Sequence, residues 1–389
     1  MSWRLVALPA AAALLLAVQP GMSAPPRKAP VVRKVGSAGN EPLITRAPDG
    51  TLYVSALQHL YVSTDNGTTW SPVTTPLYAS TLNLASDSSI AVDPGNRLYF
   101  TFDWPYAGGT AVCTSDDRGK TWACQPEALA GGTDRMWVVA PTTSTAYLVT
   151  NEGLEKTVLF TSTDRGATWV PAGTNGTTIA PQDGALLKDP KSSAVVQTVN
   201  ASGVSVYVWT PGATTPAYRS TGLPTANALP SAAFTSDGTL YVASESPTDD
   251  GGRQVSIVRT RDLGVTWTEL PPVTGTAAGT ATFSAIAAGR PGDVGVLFYS
   301  TEDEGDPTAL STSRWSVKWA RSRNATSAHP TWTVTTLAKD VHKGLICAAA
   351  ACTGGGRFAG DFIAASIDGT GTARVVWMND EGEILYASP

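Results

Sequence analysis

The chain predicts an all-β fold: a β-propeller of seven four-stranded blades closed by its N-terminal strand, with six blades as the alternative. Three observations carry this. An eight-residue turn motif is written four times, and a strand–turn–strand unit recurs seven times, mostly at intervals of about 46–53 residues. The composition is rich in Gly, Pro, Thr, Ala and Trp, with only 15% charged residues. A period of about 40–50 residues built from short strands is that of a propeller blade.

The turn motif reads S/T-x-D-x-G-x-T-W. Its copies are Ser63–Trp70, Ser115–Trp122, Ser162–Trp169 and Thr260–Trp267. Each residue type has a structural reason. The Asp carboxylate accepts N–H bonds inside the turn, and Gly takes the positive φ that other residues resist. The Trp carries a large apolar ring into the next strand. An apolar run precedes each copy, as in Val158–Phe160, so the motif joins two strands of a hairpin.

The longer unit begins at Glu41, Asp87, Asp134, Asp183, Leu229, Thr282 and Asp361, and each start leads through a turn into a second apolar strand. In blade four Thr210-Pro211-Gly212 stands where a motif belongs, without its Asp or Trp. Blade six has an expanded remnant, Ser322-Arg323-Asn324 followed by Trp332. Blade seven has one further strand, Ile384–Ala387, before the sequence stops, which leaves Val31–Val35 to supply the fourth and remove two exposed edges.

At the N-terminus, Arg4 precedes an apolar run, Leu5–Val18, and small residues ending at Ser23-Ala24. This reads as a secretory signal peptide over 1–24, followed by a single propeller domain over 25–389, and implies a secreted, extracellular protein. Of the four cysteines, Cys113 and Cys124 flank the second motif, while Cys347 and Cys352 bracket a short Ala-rich stretch. Four Cys allow three connectivities; these two local pairs are the ones expected. The three histidines, His59, His329 and His342, have no ligand-like spacing to them. The net charge is −5, and loss of residues 1–24 removes only Arg4. A mildly acidic chain without basic runs argues against nucleic acid as its partner. The expected partner is an extracellular glycan or protein, and the expected state is a monomer with no membrane span.

The four motif copies resemble the Asp-box (BNR) repeats of sialidases and other secreted propellers, in which the box is a fold element away from the active site. Asp134-Arg135-Met136-Trp137 and Gly360-Asp361-Phe362 resemble further segments of the sialidase-like group. The resemblance implies a glycoside hydrolase whose arginines clamp a substrate carboxylate, with a Tyr–Glu nucleophile pair and an Asp acid/base. Tyr299 with Glu302 matches the nucleophile pair. The Arg-Ile-Pro segment of sialidases is missing, and Arg46-Ala47-Pro48 is the nearest text.

Strand direction sorts the loops. The first strand of each blade starts on the face opposite the Asp-boxes, and five of its seven starting residues are acidic. On this face the candidate catalytic residues are Asp134, Arg135, Arg357, Asp361, Tyr299 and Glu302. The candidate ligand-binding residues are Glu41, Asp87, Asp103, Trp104 and Asp183, with Trp104 placed to stack on a sugar. Several carboxylates at one mouth suit glycoside cleavage by an acid/base pair or a Ca²⁺ ion; no other cofactor is implied. The competing reading is that these carboxylates only cap turns. Enzyme and non-catalytic glycan-, protein- or cation-binding propeller both remain open at this point.

Overall fold

The computed structural model describes residues 30–76, 87–104, 109–130, 132–152, 156–176, 182–224, 228–273, 279–348 and 359–389. Seven separate four-stranded antiparallel sheets form a seven-bladed propeller. In the first six the strands follow chain order from the axis outward. Blade one is Pro42–Arg46, Leu52–Ala56, His59–Ser63 and Ser71–Val73. The faint fourth repeat is a full blade, Gln182–Lys188 to Ala217–Ser220, so the ring has seven members. In blade seven the outer position is taken by Arg33–Gly36, which pairs antiparallel with Ile384–Ala387, Arg33 opposite Tyr386. No helix among the described residues is long and apolar enough to cross a membrane.

The second strands explain the sequence pattern. Leu52–Ala56 is buried at every position, as is the corresponding Leu240–Ser246 in blade five. The two faces of each blade are covered by its two neighbours, so its middle strands read as continuous apolar runs rather than alternating ones. The core accordingly lies between blades, with a further apolar cluster drawing Leu43, Trp137, Leu186, Leu229 and Phe362 together from five blades at the axis.

All four Asp-boxes share one geometry. In the first, Asp65 accepts the Thr69 N–H at 2.9 Å and the Thr69 hydroxyl at 2.6 Å, while Ser63 Oγ accepts the Gly67 N–H at 2.8 Å. These bonds recur at Asp117, Asp164 and Asp262. The box glycine has a second duty besides its positive φ. A Cβ on Gly67 would fall 2.3 Å from the Tyr386 ring of the preceding blade, and one on Gly119 would fall 2.5 Å from Val73. The residue before it also adopts a positive φ and reaches backward: Arg118 pairs with Asp49 at 2.7 Å, and Asn66 accepts from Arg374 at 3.0 Å. The box is thus an inter-blade connector as well as a turn.

The degenerate turns keep this function by other means. In blade six Asn324 accepts from Thr331 N at 3.0 Å and from Ser322 Oγ at 3.0 Å, with Trp332 following, as in an intact box. Blade four has no box Trp, but Trp209, just before its turn, is buried against Gly173 of blade three. Cys113 and Cys124 are bonded directly across neighbouring strands. Cys347 is also disulfide-bonded, while its expected partner Cys352 lies outside the described residues.

Candidate functional site at the channel mouth

The inner strands of blades three, four and six carry the same irregularity. Their register shifts between Asp134 and Trp137, between Asp183 and Leu186, and between Thr282 and Ala285. A bulge of this kind re-aims one side chain. In blade three that residue is Arg135, held at φ 55°, a conformation that costs a non-glycine residue on the order of 1 kcal/mol.

Arg135 Nη2 donates to Asp361 Oδ2 at 2.6 Å, joining blades three and seven across the ring. Its Nε lies 3.7 Å from Asp134 Oδ2. The Arg135 and Asp361 side chains are only 10% and 4% exposed. Burial alone would lower the Arg135 pKa, but Asp361, Asp134 and Asp87 outweigh it and hold the value above its usual range. Glu41 of blade one completes the bracket. It is buried, and its Oε1 accepts the Asp361 N–H at 2.9 Å. Its side chain fills the place a Cβ on Gly360 would occupy, 2.1 Å from Cγ.

Asp134 faces outward, with 29% of its side chain exposed. Burial, then a hydrogen bond with the Asp87 carboxyl, pushes its pKa up to about 7 against the pull of Arg135. Asp134 therefore keeps a proton up to near neutral pH. Beneath the ion pair, Trp137 and Phe362 pack with ring centroids 5.2 Å apart. Beyond this plug lies a central cavity of about 420 Å³ walled by the inner strands of all seven blades.

The structure therefore brings Glu41, Asp87, Asp134, Arg135 and Asp361 together from blades one, two, three and seven. It does not bring Tyr299 to them as an accessible nucleophile. That side chain is 0% exposed, and its hydroxyl bonds the Met378 carbonyl at 3.0 Å and N–H at 3.1 Å, tying blade six to blade seven. Glu302 lies exposed in the loop beyond strand Val294–Thr301. Asp103 is buried near the end of strand Leu98–Trp104, opposite Thr110. Trp104 ends that strand opposite Gly109, and Asp183 sits in its inner strand opposite Val199; both side chains lie outside the described residues. Arg357 also lies outside them. Among the described residues no three His, Cys, Asp or Glu side chains are placed to hold a metal ion.

Two features escaped the sequence. The aromatic plug was signalled only by Trp137 and Phe362 following their acidic neighbours. The second is Glu245, which is buried and clasps blade six, accepting from Thr282 Oγ1 at 2.5 Å and Phe283 N at 2.7 Å.

Fold and turns together define a seven-bladed β-propeller carrying Asp-boxes. Residues 61–72 match the BNR/Asp-box repeat family. No curated protein matches the sequence. Solved structures that resemble it include YCF48 bound to D1 peptide, at 14% identity and TM-score 0.56, covering 95% of this chain and 100% of that one. A chain from the mitotic checkpoint complex matches at 13% identity and TM-score 0.55, covering 97% and 98%. An ulvan lyase from a polysaccharide lyase family matches at 12% identity and TM-score 0.54, covering 92% and 94%. At such identities the likeness concerns the fold alone.

Proposed function

We propose that this is an exported, sialidase-like Asp-box propeller that binds an extracellular glycan at the channel mouth. The observation that carries the reading is the hydrogen-bonded pair Asp87–Asp134, with the Asp134 carboxyl raised to about 7, set beside Arg135 on the face opposite the boxes. Such a pair offers a donor and an acceptor at once, the complement of a sugar's neighbouring hydroxyls. Binding is favoured over sialidase chemistry because Arg135 is committed to Asp361 and Tyr299 to the blade six–seven contact. Export agrees with the apolar leader and with the Cys113–Cys124 disulfide, a bond at home in oxidising compartments. Within this reading the strand Arg33–Gly36 latches the ring after the leader is removed.

Glycoside hydrolysis is the second reading, favoured by one observation. An Asp134 carboxyl that keeps its proton near pH 7 has the protonation state of a general acid. A glycan array probed with the mature chain, beside a panel of aryl glycosides with and without Ca²⁺, tests both. Saturable array binding that Asp134→Asn weakens supports the first reading, and turnover that the same variant abolishes supports the second. No binding and no turnover would remove the mouth as a glycan site.

A further inference from the structure

The wall of the ring between blades four and five holds another opening. It is a cavity of about 460 Å³, lined on one side by Thr221–Pro224, which follow the outer strand of blade four. Blade five supplies Ser246, Gln254, Ser256, Trp267 and Glu269 on the other side. Register explains why these meet. Ser246 lies opposite Gln254 and Val258 opposite Glu269, and residues 254, 256 and 258 alternate onto one sheet face.

Ser246, Gln254, Ser256 and Glu269 make that face polar. Counted back from the box, the position of Ser256 is His59 in blade one, and the buried Ala111 and Val158 in blades two and three. Two polar atoms at the opening are buried without a protein partner: the Ser246 hydroxyl and the Trp267 indole N–H. At the same box position, Trp122 donates its N–H to the Thr74 carbonyl of the preceding blade at 3.0 Å. Trp70 and Trp169 leave theirs unpaired too; at this opening the indole stands beside Ser246, Gln254, Ser256 and Glu269, which line the same cavity. Opposite, Gly222 has open space where a side chain would project. Buried polar atoms without partners call for solvent or ligand hydroxyls.

We infer that this opening is a binding site for a neutral saccharide of one or two rings. Trp267 supplies an apolar aromatic surface, and Ser246, Gln254 and Glu269 supply the donors and acceptors that sugar hydroxyls need. Glu269 is the charged lining side chain, which disfavours anionic ligands. The volume lies within the roughly 300–1,000 Å³ of small-molecule sites. The inference is independent of the mouth, since none of its residues contacts Asp134 or Arg135 in the pairings above.

The test is calorimetric titration of the mature chain with glucose, galactose, mannose, cellobiose and lactose. At least one is expected to bind saturably with a Kd below about 10 mM. Gln254→Ala and Glu269→Ala, both substitutions at the sheet surface, should each weaken it about tenfold, and Trp267→Phe severalfold. Asp134→Asn should leave it unchanged. The assignment is overturned if none of the five sugars binds, or if binding survives both Gln254→Ala and Glu269→Ala. It is equally overturned if Asp134→Asn abolishes binding, which would place the sugar at the mouth.

Discussion

Asp134 and Arg135 sit next to each other in sequence and do opposite things. The Arg turns inward through a strained backbone and neutralises the buried Asp361, while the Asp turns out and hydrogen-bonds the Asp87 carboxyl. The consequence is a pH dependence with a definite sign. A carboxyl whose folded pKa is raised favours the folded state below its unfolded value near 4, and this contribution is lost as pH rises through about 7. Asp134→Asn should therefore match the wild type at about pH 3.5, begin to exceed it above pH 4 and exceed its stability fully at pH 8. The gain should be on the order of 2 kcal/mol, discounted for the exposed part of the side chain. Denaturant melts at about pH 3.5 and at pH 8 decide it, and equal differences at both would refute the raised Asp134 pKa. The acidic starts of the blades were legible because Asp recurs there in register. The bulge was not, since nothing in Asp134-Arg135-Met136-Trp137 distinguishes a regular strand from one that rotates its second residue inward.

At the scale of the element, the Asp-box was almost wholly readable, because each of its fixed positions makes a local bond. Its backward reach to the preceding blade was not, since the partners Asp49, Val73 and Tyr386 lie dozens of residues away or at the other end of the chain. The four box carboxylates are held at a pKa of about 2, chiefly by their Thr hydroxyl partners or, at Asp262, by Thr260. A depressed folded pKa stabilises above the unfolded value of about 4 and loses that effect as pH falls towards 2. Thermal stability should thus drop steeply between pH 4 and 2. Asn324 already fills the Asp role in blade six without ionising, so Asp262→Asn should fold at pH 7 and flatten the acid limb. An acid limb identical to that of the wild type would show that the boxes do not set it.

For the whole molecule, the repeat count was legible and the axis was not. Seven starts in register implied seven blades, even where blade four had lost its motif, because Trp209 restores the missing packing from the other side of the turn. The strand Arg33–Gly36 pairs with Ile384–Ala387 of blade seven. Lys34 pairs with Glu383 at 2.7 Å, and Tyr386 packs against Trp70 with centroids 5.4 Å apart. Removing residues 25–38 should lower the melting temperature by several degrees and broaden the transition, since blade seven would lose its outer strand. An unchanged melt would mean that the strand is an accessory to a ring already closed.

Occupation of the mouth by a sugar is the claim on which the functional reading rests, and its most direct test uses the proton held there. The glycan selected by the array would be titrated calorimetrically into the wild type and into Asp134→Asn at pH 6 and pH 8. The wild type should bind more tightly at pH 6, where Asp134 holds the proton, and weaken severalfold at pH 8. The Asn variant should bind about tenfold more weakly than the wild type at pH 6 and show no such pH dependence. Equal affinity of both proteins at both pH values would contradict the account and move the glycan away from the channel mouth.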